Sequence, residues 1–237
     1  MIDLNNRSNK KELLDNDGIP FADIQQNMKE LNRVNTLLGG HTITIKGVKK
    51  IIKNTHPKQL LTICEIGCGG GDNLIAINKW CNKQDISVHF IGIDIKQACI
   101  DFAKVQCKRL DAVWIKNDYA AVTFSNTKPD IIFSSLFCHH FNEDALMQML
   151  QWMKNNCKKG FFINDLHRHP LAYYSIKIIT SIFSNSYLVK NDAPLSVARG
   201  FKKAEWTQLL THSNVINYTL QWQWAFRYLI TYSHERK

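Results

Sequence analysis

The sequence has no long apolar run, no paired-cysteine spacing and no block of like charge, and each absence removes a class of protein. Its most apolar stretch, residues 171–189, is interrupted by Thr180, Ser181, Ser184, Asn185 and Ser186, whereas a helix that crosses a bilayer needs about 20 apolar residues in succession. No membrane span is expected. The seven cysteines are an odd number and none sits in a C-x-x-C pair. Cys64, Cys68 and Cys138 fall on apolar segments, which suits reduced thiols and not a disulfide framework. His139, His140, His167 and His169 offer nitrogen ligands, but there is no H-x-x-x-H helix and no Cys/His cluster of zinc spacing, so no metal is expected. The net charge of +10 is scattered: residues 151–237 carry twelve Lys/Arg against four acids, and residues 61–150 eight against ten. Basic residues are not gathered with interleaved aromatics, so no nucleic-acid partner is expected. Residues 1–17 are polar and charged without a signal-peptide pattern, and a cytoplasmic protein is expected.

What is present suits one compact unit. At 237 residues and 45% hydrophobic, the chain is long enough to bury a full core. Its most informative segment is Cys64-Glu65-Ile66-Gly67-Cys68-Gly69-Gly70-Gly71-Asp72-Asn73. A bounded apolar run, residues 60–64, precedes it, as in a strand covered on both faces, and Asp72 is placed to N-cap the helix that follows. Gly67 and Gly69 let the backbone turn through conformations a Cβ would penalise, and Gly71 allows close approach of a ligand or of the next helix. The pattern is that of a nucleotide-cofactor loop. Its spacing is G-x-G-x-G behind an acid, not the G-x-G-x-x-G of hydride-transferring dinucleotide enzymes, and a nicotinamide oxidoreductase is disfavoured.

A second acid lies in register with the first. Residues 86–94 read as a strand ending in Asp94, 23 residues after Gly71, where a carboxylate accepts hydrogen bonds from ribose hydroxyls. Residues 96–108 have helical spacing, residues 113–118 and 130–135 read as strands, 143–155 as a helix, 160–165 as a strand and 203–211 as a helix. Residues 215–220 and 223–231 form a closing strand pair. Upstream, residues 21–38 have helical spacing and stop at Gly39-Gly40, and a second helix begins near Ile45 and leads on through His56-Pro57. The expected fold is α/β, a doubly wound Rossmann-like sheet, and resemblance of the closing pair to the end of a class I methyltransferase sheet implies seven strands with an antiparallel last strand. A helical cap over residues 1–58 precedes a domain over 59–237 that carries a lid insertion at about 167–202.

The acid and G-x-G-x-G loop together resemble motif I of the class I S-adenosylmethionine-dependent methyltransferases. That resemblance implies S-adenosylmethionine as cofactor and S-adenosylhomocysteine as product. Carried onto this chain, it implies cofactor contacts at Glu65, Gly67, Cys68, Gly69, Gly71, Asp94, Ile95, Asn117, Asp118, Tyr119, Ser134 and Ser135. Asp118 would meet the adenine amine and Tyr119 would pack on the ring. Nucleobase amino methyltransferases follow the fourth strand with an Asp/Asn-Pro-Pro-aromatic loop, whereas this chain has Ser134-Ser135-Leu136-Phe137. A nucleic-acid methyltransferase and a cofactor-binding protein without catalysis are the alternatives.

Histidine is the usual general base near neutral pH, and Cys138-His139-His140-Phe141 follows the fourth strand at the cofactor cleft. His140, then His139, are the candidate bases, only one of them expected to face the acceptor, with His167 next. Residues 164–170 put further polar groups at the end of the fifth strand, where Asp165 and Arg168 are candidate acceptor contacts. Residues 171–189, including Tyr173, read either as a core helix or as a hydrophobic wall over the acceptor. Residues 192–201 read as a turn-rich loop, in which Arg199 either binds an acceptor oxyanion or pairs with Asp192. The combination of residues 31–40, His139-His140 and residues 164–169 resembles methyltransferases associated with type III polyketide synthases, relatives of the ubiquinone/menaquinone type. It implies a small hydrophobic acceptor, phenolic, quinone-like or polyketide, methylated on oxygen by a monomer or homodimer.

Overall fold

Alternation of buried side chains sorts the central strands into two faces. In β1 (Leu61–Ile66), Leu61 and Ile63 join one core cluster while Cys64 and Ile66 join another, as the two-residue period of a strand requires. Helix α3 (Asp72–Asn82) turns Leu74, Ile77 and Cys81 onto the first face. Helix α5 (Glu143–Asn156) turns Leu146, Met149, Leu150 and Met153 onto the second. Both sets have the i, i+3, i+7 spacing of one helix face. The remaining strands are β2 (Val88–Asp94), β3 (Ala112–Lys116), β4 (Ile131–Ser135), β5 (Gly160–Leu166), β6 (Tyr218–Gln223) and β7 (Arg227–Ser233). They form one sheet in the order β3-β2-β1-β4-β5-β7-β6. β1 to β5 pair in parallel, and β7 runs antiparallel between β5 and β6. This computed structural model describes residues 2–16, 18–52, 60–124 and 127–234.

The sheet thus follows the expected doubly wound order, with chain direction reversing at the end. The remaining helices are α1 (Phe21–Leu37), α2 (Gly40–Ile51), α4 (Gln97–Gln106), α6 (Pro170–Phe183), α7 (Tyr187–Arg199) and α8 (Lys203–His212). Pro170 stands at the first turn of α6, where a missing N–H costs nothing. Among the described residues no helix is long and apolar enough to cross a membrane.

Several boundaries differ from the sequence expectation. Residues 192–199 of the expected loop belong to helix α7 (Tyr187–Arg199), with Pro194 inside it; tertiary packing of Leu188, Val189, Val197 and Ala198 overrides the turn-forming residues. Gly39 takes a left-handed φ of 75° and caps α2, so the second helix begins at once at Gly40 and not near Ile45. Gly71, not Asp72, is the N-cap of α3. His56-Pro57 and the expected boundary at 58/59 lie outside the described residues. The N-terminal segment is not wholly helical: residues 2–16 hold only a 3-10 turn at Leu13–Asp15. They form a strap whose backbone is tied to α7 by Ser8 N–H to Ala198 O at 3.1 Å and by Leu13 and Leu14 N–H to Asp192.

Candidate active site

The order of strands places the site. β1 has β2 on one side and β4 on the other, so the carboxyl ends of β1, β2 and β4 surround the crevice where an open α/β sheet binds ligands. A cavity of about 700 Å³ opens there, within the size range of small-molecule sites. Its lining includes Gly67, Gly69, Asp94, Ile95, Asn117, Asp118 and Tyr119 at one end, and Met28, Leu31, Val34, Ile176 and Val197 at the other. Residues from α1, α6, α7 and the strap therefore close over the ends of the strands.

The glycine loop is built for a ligand at one position and for packing at two others. Gly67, Gly69 and Gly71 all have left-handed φ, from 50° to 78°. A Cβ on Gly69 would meet nothing within 4 Å, so its face is open cavity. A Cβ on Gly67 would strike the Phe137 ring, and one on Gly71 would strike Cys107 Sγ and Trp114. Gly71 therefore serves close packing against α4 and β3, and does not line the cavity. The Asp94 carboxylate accepts the Gly69 N–H and the Lys96 N–H, each at 2.9 Å. Burial pushes it above the usual carboxylate range, against the pull of those N–H groups. Asp118 accepts the Ala120 N–H, and Tyr119 packs edge-on against Phe137, Phe141 and Trp152.

Glu65 lies behind this loop. Its Oε1 accepts Asn73 Nδ2–H at 2.8 Å, and Asn73 is in turn held by His41 and Thr44 of α2. Its Oε2 is buried without a partner. Burial drives this carboxyl well above its ordinary range. The folded state therefore favours the protonated acid, and its contribution to stability is lost as pH rises from the unfolded value through the folded one. Glu65→Gln should raise the melting temperature of the ligand-free protein at pH 8 and flatten its decline from pH 5 to 8; parallel curves for parent and variant would rule this out.

The histidine pair sits on a 3-10 turn, Cys138–His140, directly after β4. Asp165 at the end of β5 holds that turn: one oxygen accepts the Cys138 N–H at 2.7 Å and the Phe137 N–H at 3.2 Å, and the other accepts His139 Nδ1–H at 2.8 Å. Burial raises the Asp165 carboxyl, but His139 and these N–H groups outweigh it and the net shift is downward. His139 thus directs Nε2 toward Glu12 Oε1, 3.6 Å away. His140 Nε2 lies 3.8 Å from Glu12 Oε2, and its Nδ1 lies 3.3 Å from Asp15. The two rings do not diverge: their centroids are 4.5 Å apart and both line the cavity, because Glu12 and Asp15 of the strap draw both toward one point. Glu12 is buried and its carboxyl is raised by that burial. Glu12, His139 and His140 bring one ligand atom each within 4.8 Å, the arrangement among the described residues that comes nearest to a metal site.

Several expected site residues are engaged elsewhere. Arg168 is fully buried in a two-pronged pair with Glu205 and on the carbonyls of Leu4, Asn5 and Gly200. It anchors the strap and has no donor left for an acceptor. Arg199 donates to the carbonyls of His139, His140 and Lys10. It does not line the cavity, lies 3.7 Å from Asp15, and does not pair with Asp192, whose oxygens take the strap's N–H groups. Asp165 is consumed by the histidine turn and does not face the cavity. His167 packs among His169, Phe226 and Tyr228, and Tyr173 packs against Tyr174; neither lines the cavity. Ser134 pairs with Cys138, Ser135 with Asn164, and Cys68 is buried below the loop, so these three also stand off it.

The cavity has polar groups that motif reading did not find. Arg227 lines it, held by Asn35 Oδ1 at 2.8 Å with its Nε unpartnered, and burial lowers its guanidinium to about 10. Asn27 also lines it, with both side-chain polar atoms buried and unpartnered. Both arise in segments of helical or strand periodicity that otherwise read as structural.

Residues 63–160 match a family described as a methyltransferase domain. No curated protein matches the chain by sequence. Among solved structures, the plantazolicin methyltransferase BpumL, in complex with a triazolic desmethylplantazolicin analogue and S-adenosylhomocysteine, is 17% identical over 91% of each chain with a TM-score of 0.66. Magnesium protoporphyrin IX methyltransferase ChlM from Synechocystis PCC 6803, with bound S-adenosylmethionine, is 11% identical over 93% of this chain and 100% of its own, with a TM-score of 0.57. A putative O-methyltransferase from Nostoc punctiforme PCC 73102 is 13% identical over 85% of this chain and 58% of its own, with a TM-score of 0.58. At these identities the likeness is one of fold. Residues 63–160 thus match a methyltransferase domain, and the seven-stranded sheet has the fold of these methyltransferase structures.

Proposed function

We propose that the protein methylates a hydroxyl group of a small apolar acceptor, phenolic, quinone-like or polyketide, and does so in the cytoplasm. The observation that carries this is one cavity whose lining includes Gly69 and Asp94, an apolar wall and His139. The residues present fit S-adenosylmethionine: the open face of Gly69 offers space for its methionine part, and Glu65, behind the loop with Oε2 unpartnered, would accept its ammonium group. Asp94 would hold the ribose hydroxyls, Asn117 and Asp118 the adenine amine, and Tyr119 the ring. When bound, the cofactor supplies an electrophilic methyl group on sulfur.

The chain's own part is alignment and proton removal. Met28, Leu31, Val34 and Ile176 exclude water and orient the acceptor, which supplies most of the rate in an in-line transfer. Asp165 fixes His139 in the tautomer whose Nε2 accepts a proton, and stabilises the imidazolium that results. On this reading His139, and not His140 as the sequence suggested, is the first candidate base. Arg227 stands ready to hold the oxyanion of the acceptor.

Calorimetry with S-adenosylhomocysteine and with NADH tests the cofactor: binding of the first alone supports the reading, and binding of NADH alone overturns it. Methyl incorporation into a panel of phenols and polyketides, followed by mass spectrometry, tests the acceptor and separates an enzyme from a cofactor-binding protein. Asp94→Ala should weaken S-adenosylhomocysteine by about 1–3 kcal/mol, the range for hydrogen bonds to a charged group. If 2′- and 3′-deoxy analogues lose as much affinity on the variant as on the parent, the ribose assignment is wrong.

A further inference from the structure

Helix α6 has apolar side chains on both sides. Its inner side, Ala172, Ile176 and Ile179, lines the cavity. Its outer side presents Leu171, Tyr174, Ile178 and Ile182, which are 47–66% exposed and spaced by three, four and four residues, one stripe of a helix. Such a contiguous stripe, unlike scattered surface leucines, marks a place of contact. The stripe runs on to the β6–β7 turn. His169, which caps α6, stacks on Phe226 at 5.0 Å, and Phe226 meets Trp222 edge-on at 6.1 Å. Trp224 at that turn both lines the cavity and is 69% exposed. The apolar surface therefore continues into the cavity mouth.

Charge selects the partner. Residues 166–191 and 206–234, which supply this surface, contain no Asp or Glu. Lys177 stands on α6 itself, and Lys46 and Lys50 lie along β6, bonded to Gln223 and Gln221 at 2.8 and 2.7 Å. Glu30 and Asp23 are engaged at the far end by Ser184, Ser186 and Tyr187. Exposed tryptophans, aliphatic side chains and nearby ammonium groups are the combination that sits at a lipid headgroup boundary, the rings and alkyl groups entering it and the cations meeting anionic headgroups.

We propose that the outer stripe of α6 and the β6–β7 turn dock on an anionic lipid bilayer, and that the acceptor is a lipophilic molecule that passes from the bilayer into the cavity beside Trp224. The acceptor part rests on the methyltransferase reading; the docking does not. The test is flotation of the full chain with vesicles of phosphatidylcholine alone and of phosphatidylcholine mixed with phosphatidylglycerol. The protein should float with the mixed vesicles and be released as salt is raised. The double variant I178E/I182E, whose side chains are exposed and outside the cavity, should lower the bound fraction about 10-fold or more, and Leu171→Ser several-fold, with S-adenosylhomocysteine affinity unchanged in both. Absence of parent binding to either vesicle overturns the proposal, as does equal binding by parent and both variants. A parent dimer that I178E/I182E converts to monomer, without vesicle binding, would assign the face to a second copy instead. Vesicle binding without S-adenosylhomocysteine binding would count against the methyltransferase reading and not against docking.

Discussion

Replacing His139 with Gln should lower kcat by about 10²- to 10⁴-fold, the range for losing a positioned general base, while S-adenosylhomocysteine affinity stays close to that of the parent. The expectation rests on the buried Asp165–His139 pair at 2.8 Å and on the place of His139 in the cavity wall. A base must be unprotonated to act, so the parent's rate should fall on the acid side, and His139→Gln should lose that limb. Asp165→Asn, which acts through His139, should lower kcat far more than it changes KM. It should also reduce stability, because its carboxyl is depressed in the folded state: that contribution is present above the unfolded carboxylate range and lost as pH falls through the folded value. Measuring kcat against pH for the His139, His140 and double variants with a confirmed acceptor decides the matter. If all three keep the parent's rate and acid limb, the pair is structural and Glu12 is the next residue to replace.

Gly69→Val should abolish cofactor binding. The residue has a φ of 50°, and its missing Cβ points into open cavity with no atom within 4 Å. A branched side chain there fills the space assigned to the methionine part of the cofactor, and β-branching at positive φ adds backbone strain. Gly71→Ala provides the contrast, since its Cβ would strike Cys107 and Trp114; it should lower the melting temperature through packing and not through ligand exclusion. Calorimetry with S-adenosylhomocysteine, beside thermal melts of both ligand-free variants, separates the two effects. A folded Gly69→Val protein that binds S-adenosylhomocysteine as the parent does would remove the loop from the cofactor site.

The residues that were legible in the sequence act locally. Glu65, Gly67 and Gly69 lie on one strand-to-helix turn, and Asp94 ends the neighbouring strand, so chain direction and the two-residue period put them near one another. Alternating apolar periods gave the seven strands and most of the helices for the same reason. The histidine pair was legible as well, because it follows β4 directly.

Other features depended on tertiary contact. Arg168 and Arg199 read as acceptor ligands because an arginine's charge is visible in a sequence and its partner is not; the fold gives both to strap and loop carbonyls, and Arg168 also to Glu205, as a buried guanidinium requires. Arg227 is the arginine that reaches the cavity, from a strand whose register is set only by pairing between β5 and β6. Residues 187–199 contain turn formers yet are helical, because burial of Leu188, Val189 and Val197 outweighs local preference. Glu12 has no motif and stands 127 positions before His139. It enters the site because hydrogen bonds from the strap to α7 carry it there. By itself the sequence determined the alternation of strands and helices and the grouping of Glu65, Gly67, Gly69 and Asp94 at one strand-to-helix turn, where the contacts are between neighbouring segments. Tertiary structure alone decided which polar side chains close the acceptor end, since burial selects among distant charges by whether each one finds a partner.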